Sequence, residues 1–277
     1  MKLGMAVRVM GEAAHRDTLA ACADHAEAAG LAELWVADHI AIPPDDAEGS
    51  NGHYLDPLAT LAWLAARTER IGLGTAVLIL PYRRALPTAK AVATIQDLSG
   101  GRLTLGVGIG WMDPEFRALG LERSQRGADS DRALDLLRRC FDAEDDVVTE
   151  NGQDFLFRPC PPRPRILVGG QAPHALRRAV RYGDGWLPMT TDPEKLAPAI
   201  AELRSLAEAE GKPTPEVACL GGIDADPGRG ADQLRALADL GVTRFLTGAR
   251  YGRDPSPFQR SVDVLAAAGE RLSRSSD

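Results

Sequence analysis

The chain has 277 residues, long enough for a barrel of eight strand–helix units. Hydrophobic residues at 44% and charged residues at 26% describe an ordinary globular composition. A net charge of -7 argues against nucleic-acid or anionic-membrane partners, and no apolar run nears the roughly 20 residues that span a bilayer.

The opening residues 1–7 are too short for a signal peptide and soon meet Arg8, Glu12 and His15, so a cytoplasmic location is expected. A first strand is predicted over 2–9. An Ala-rich helix over 15–29 follows, closed by Gly30 as a C-terminal cap. The second strand, 33–38, runs directly into His39. Residues 40–56 then form a loop with Pro43-Pro44, Gly49 and Gly52, of a length usual for a lid.

A helix over 58–68 leads to the apolar run 71–80, read as one strand buried on both faces. A helix over 89–98 stops at Ser99-Gly100-Gly101, and the strand 103–109 carries the glycines of GVGIG. Amphipathic helical segments follow over 115–121 and 129–143. Residues 145–157 read as a small hairpin turning on Asn151-Gly152. Strands are then predicted over 166–168, 186–189, 216–223 and 244–248, alternating with helices over 173–182, 192–210, 231–240 and 257–272. The tail, 273–277, reads as frayed.

Eight strands alternating with helices predict an α/β fold, a (β/α)8 TIM barrel forming one domain over 1–277. A small insertion follows the fourth strand–helix unit. The competing fold, an open doubly wound sheet, leaves edge strands that this alternation does not protect. The four cysteines lack CxxC or His-rich spacing, so reduced core thiols are expected and no metal site.

In such a barrel chemistry sits at the C-terminal strand ends. There is no GxSxG or HExxH among them. His39 is their one histidine, and it reads either as a proton-transferring side chain or as a structural end to its strand. Asp38 adjoins it and points to the other face if the strand alternation continues. Gly169-Gly170-Gln171-Ala172-Pro173 joins strand to helix, which suits an anion or simply makes a tight turn. GVGIG lies within a strand, unlike a dinucleotide fingerprint, and reads as room for a flat ring close to the backbone. Trp35 and Trp111 are candidates for a pocket wall or for core.

Three segments, ELWVADHI (33–40), RIGLGTAVLILPYRRALPTAKAVATIQDLSGGRLTLGVGIGW (70–111) and ILVGGQAPHALRRAVRYGDGW (166–186), resemble the bacterial luciferase-like monooxygenases, most of all the branch of coenzyme F420-dependent oxidoreductases. The likeness runs nearly end to end. It implies a barrel that binds F420, or FMN in the alternative, at the strand ends, with hydride transfer at C5 of the deazaflavin.

By that resemblance Asp38 and His39 lie near the reactive ring, with His39 the catalytic candidate. Ala76-Val77 falls where relatives have a non-prolyl cis peptide behind the ring. Ile109 and Gly110 match backbone contacts to it, Gly169, Gly170 and Ala172 match the phosphate turn, and Met189 lines the site. Trp111 stands where sugar-phosphate dehydrogenases of the family carry a glutamate, and Asp192 where they carry a lysine. A small apolar carbonyl, enone or alcohol beside Trp111 and Met112 is therefore expected in place of a sugar phosphate. The alternatives are an FMN-dependent monooxygenase using oxygen and a cofactor-binding protein without turnover. The resemblance also implies a homodimer.

Overall fold

A computed structural model describes residues 1–274. The predicted tail therefore lies outside the described residues from 275 onward, while 273 and 274 still belong to the last helix. Strands and helices follow in chain order: β1 (Lys2–Ala6), α1 (Arg16–Ala28), β2 (Glu33–Val36), α2 (Pro57–Arg67), β3 (Gly72–Thr75), β4 (Leu78–Ile79), α3 (Ala85–Leu98), β5 (Leu103–Gly108), α4 (Asp113–Ala118) and α5 (Arg126–Phe141). The second half continues with the hairpin β6 (Val147–Glu150) and β7 (Gln153–Leu156), then β8 (Arg165–Gly169), α6 (His174–Tyr182), β9 (Gly185–Leu187), α7 (Pro193–Ala209), β10 (Glu216–Leu220), α8 (Pro227–Leu240), β11 (Val242–Gly248) and α9 (Ser256–Arg274).

The parallel strands close on themselves. β1 lies between β2 and β11, with Gly4 opposite both Glu33 and Leu246. The pairing of β3 with β5, Leu73 opposite Leu103, joins the two ends of the strand order. An eight-strand barrel results, β3 and β4 together counting as one strand, and the open doubly wound sheet is excluded. The hairpin β6–β7 stands apart as the small insertion after the fourth unit. Among the described residues no helix is long and apolar enough to cross a membrane. The four cysteines are free thiols.

Local chemistry sets the helix starts. Asp56, Asp192 and Asp226 each cap a helix through backbone N–H groups, and each is followed by proline, which has no N–H to leave unpaired. Gly241 ends α8 in the left-handed region at φ 100°.

One predicted feature is corrected and one open alternative is decided. The run 71–80 is two strands, because the Ala76–Val77 peptide is cis and turns the backbone between them. Trp35 is core and lines no pocket: it is fully buried inside the barrel with Leu167, Leu187, Ala218 and Leu246. Its ring takes the space that side chains at 4 and 74 would need; a Cβ on Gly74 would come within 2.5 Å of it. Below it, at the N-terminal end of the barrel, the buried guanidinium of Arg244 pairs with Glu33 and, at 3.2 Å, with Glu216. Burial lowers the Arg244 pKa to about 10.

Candidate active site

At the opposite end, β2 stops at Val36 and the chain carries Asp38 and His39 onto the rim. Their side chains diverge, as the alternation predicts. The buried Asp38 carboxylate accepts from the Ile79 N–H at 2.9 Å and from both terminal nitrogens of Arg83 at 2.5 and 2.9 Å. Burial raises its pKa against the opposing pull of Arg83. Arg83 also reaches Asp56 at 2.9 Å, so one guanidinium ties β2, β4 and the end of the 40–56 loop together. Both Asp38 oxygens are thus engaged by the protein itself.

His39 is held differently. Its Nδ1 lies 2.8 Å from Oε2 of Glu115, a buried carboxylate on α4. Glu115 also accepts from the N–H groups of Ile40 and Ala41, at 2.8 and 3.0 Å, and from the Tyr82 hydroxyl at 3.0 Å. Burial pulls its pKa upward, yet the His39 and backbone hydrogen bonds outweigh that and lower it to about 2. An ionised carboxylate only accepts, so His39 Nδ1 carries the hydrogen and donates it. The other ring nitrogen, Nε2, has no hydrogen-bond partner among the described residues. The His39 side chain is 18% exposed. Edge-on aromatic rings flank it, Tyr54 at 5.1 Å and Trp111 at 6.4 Å between centroids.

The barrel mouth beside this histidine is apolar. Ile40, Trp111 and Met189 are 45%, 65% and 64% exposed there. Ala76 and Val77, joined by the cis peptide that the resemblance implies, are half-buried at the broken strand end. Ile109 and Gly110 follow β5, also half-buried. Gly110 has φ +75°, and a Cβ there would meet Ile79 at 2.9 Å. Met112 is a correction: it is buried where α4 begins, so Trp111 faces the mouth without it.

The reading of GVGIG also changes. A Cβ on Gly108 would meet Val77 at 2.5 Å, and one on Gly106 would collide with the Thr75 carbonyl. These glycines make room for the chain's own broken strand, not for a ligand ring.

The predicted anion turn follows β8. Gly169 is buried, and Gly170, at φ +126°, is exposed with Gln171 and Ala172. Trp186 Nε1 donates to the Gly170 carbonyl at 2.9 Å and fixes the turn. The N–H groups of Gln171 and Ala172 find no acceptor among the described residues. They precede α6, whose positive end favours an anion.

Sequence reasoning missed Glu115, Tyr54, Tyr82 and Arg83. Glu115 lay inside a predicted amphipathic helix, and a carboxylate on its buried face, just after a strand end, is the signal that would have found it. Tyr54, within an irregular loop, carries no such signal.

The family described as luciferase-like monooxygenase has a model that matches residues 3–223. Over 265 residues the chain is 32% identical to an F420-dependent glucose-6-phosphate dehydrogenase of Kineococcus radiotolerans, covering 89% of this chain and 75% of that relative. Over 276 residues it is 30% identical to an F420-dependent hydroxymycolic acid dehydrogenase of Mycobacterium tuberculosis, covering 94% and 72%. The crystal structure of the monooxygenase RslO1 from Streptomyces bottropensis superposes with a TM-score of 0.81 over 100% of both chains at 21% identity, a likeness of fold.

Proposed function

The chain belongs to the luciferase-like monooxygenase family and is an oxidoreductase, and on that footing we propose that it passes hydride between coenzyme F420 and an apolar small organic substrate. The observation that carries this reading is the His39–Glu115 pair, which leaves one imidazole nitrogen available beside an open apolar mouth. The relatives named as F420-dependent dehydrogenases favour the deazaflavin over FMN.

The residues present fit such a cofactor. The bare N–H groups of Gln171 and Ala172 suit its phosphate, and the half-buried backbone at Ala76-Val77 and Ile109-Gly110 offers a firm apolar support. Bound F420 supplies a carbon that takes or gives hydride. The protein supplies the proton. With Nδ1 committed to Glu115, neutral His39 accepts at Nε2 the hydroxyl proton of an alcohol being oxidised. Protonated, it donates from Nε2 to the oxygen of a ketone being reduced. Glu115 keeps the ring oriented and stabilises the imidazolium. Trp111, Met189 and Ile40 exclude water from an apolar substrate. Asp38 and Arg83 hold the strand ends in register.

Fluorescence titration of the purified protein with oxidised F420, and separately with FMN, tests the cofactor. Saturable F420 binding with FMN at least about tenfold weaker is expected, followed by turnover of apolar secondary alcohols or enones. The reverse preference overturns the reading and points to oxygen chemistry with reduced FMN.

A further inference from the structure

Beside the mouth, between the ends of β1 and β11 and the 40–56 loop, lies a cleft of about 810 Å³. We propose that it is an anion subsite, which holds a carboxylate or phosphate group carried by the substrate. The proposal rests on the reading of the mouth as a redox site for small molecules.

The walls are fixed. The Arg8 N–H donates to the buried Tyr251 hydroxyl at 2.9 Å, and the Thr18 hydroxyl donates to the Arg253 carbonyl at 2.9 Å. Across the cleft, the Gly11 N–H donates to the His53 carbonyl and the Leu55 N–H to the Val9 carbonyl, each at 2.9 Å. The loop that the sequence suggests as a lid is therefore stapled at its far end to the segment that follows β1.

The charge is unbalanced. Arg8 and Arg253 line the cleft against a single carboxylate, Glu12; His15, also on its wall, lies 4.0 Å from Asp17. Neither arginine has a carboxylate within ion-pair distance among the described residues. The Arg8 Nε is buried with no hydrogen-bond partner. Arg83, on the same end of the barrel, is paired twice. A buried donor without an acceptor is uncommon in folded proteins, and a guanidinium favours the planar, two-point geometry of carboxylate and phosphate.

Position separates this subsite from the Gly170 turn. In the closed strand order the β1–β11 junction lies nearly opposite β8, which carries that turn. A cofactor phosphate bound beyond β8 leaves the cleft to a second molecule. Tyr54 connects the cleft to the chemistry, since it bridges Met10 on the cleft side and packs edge-on against His39. A substrate with an apolar reacting part at Trp111 and an acidic group in the cleft satisfies both regions.

The test measures binding of 3-phenylpropionate and of its uncharged methyl ester to the full-length protein by calorimetry, with and without F420. The acid should bind at least about tenfold tighter than the ester, with inorganic phosphate competing against the acid. Arg253→Gln, whose side chain is exposed, and Arg8→Gln should each abolish that preference while changing F420 affinity less than about twofold. No preference for the acid in the wild-type protein, including binding of neither probe, overturns the proposal. So does a preference that survives Arg253→Gln in a variant with unaltered melting. A tenfold loss of F420 affinity in Arg253→Gln would assign the cleft to the cofactor's anionic tail and overturn the substrate assignment. If F420 fails to bind the wild-type protein while the acid preference stands, the cofactor reading falls and the subsite remains.

Discussion

At the N-terminal end of the barrel Arg244 lies against Glu33 and Glu216 beneath the ring of Trp35, whereas at the other end Glu115 holds His39 beside Trp111. Both ends bury a carboxylate with a basic partner and set an indole next to the pair. At the lower end the partners are sealed and the indole is fully buried, so the Arg244 Nε that is left without an acceptor opens onto no cleft. At the upper end the carboxylate is equally buried, but its histidine turns a free nitrogen to the rim and the indole is mostly exposed. The same ingredients serve cohesion where both partners are enclosed and, on the proposed reading, chemistry where one is left half-open.

Breaking the upper pair should have the largest effect. His39→Ala is expected to lower turnover roughly 10²- to 10⁴-fold, the usual contribution of a positioned acid–base group, with F420 affinity within a few-fold. Single-turnover kinetics beside fluorescence titration measures both. Reduced affinity with turnover intact would instead mark a cofactor-binding protein.

Breaking the lower end should cost stability and leave the chemistry of the folded protein alone. Trp35→Ala opens a cavity in the barrel and is expected to cost about 3–5 kcal/mol. Arg244→Met leaves the buried Glu33 with only the exposed Lys2 ammonium at 3.9 Å, and a loss of up to about 3–5 kcal/mol is expected. Urea unfolding monitored by circular dichroism checks both, and turnover per folded molecule should stay near wild type.

Acid sharpens the contrast further. Glu115 titrates at about 2 in the folded protein against an ordinary 4.5. Its stabilisation is therefore complete above about pH 4.5 and is lost as the pH falls towards 2. In Glu115→Gln that part of the acid dependence should disappear, with a lower stability at neutral pH. A pH series of melting curves reads the difference, and an unchanged acid slope in the variant would contradict the assignment.

The smallest effect on stability belongs to Trp111→Ala, within about 0.5 kcal/mol because the side chain is exposed. Its consequence should lie in KM for apolar substrates, raised up to about tenfold by the lost apolar contact. Comparison with Trp35→Ala separates the two indoles directly.

The alternation of apolar runs with amphipathic segments was enough to read the barrel, because the barrel strands are largely buried and the helices cover them with one face. Gly30 and Asp192-Pro193 are local signals that mark helix ends as predicted, whereas α3 and α8 begin at Ala85 and Pro227, ahead of their predicted starts at 89 and 231. His39 and the Gly169-Gly170 turn were legible for the same reason: strand ends can be located from the run that precedes them. Other features depend on which distant segments meet. Nothing local tells that Glu115 reaches back 76 positions to His39, or that Asp38 is consumed by Arg83. Gly106 and Gly108 read as space for a ligand, but Thr75 and Val77 occupy it. Trp35 and Trp111 are the same residue type in similar apolar company, and only closure of the barrel puts one at its centre and the other on its rim. Short-range patterning thus determined the elements and their order. Barrel closure, which packs residues far apart in the chain against one another, decided which polar groups are paired within the protein and which are left facing the mouth.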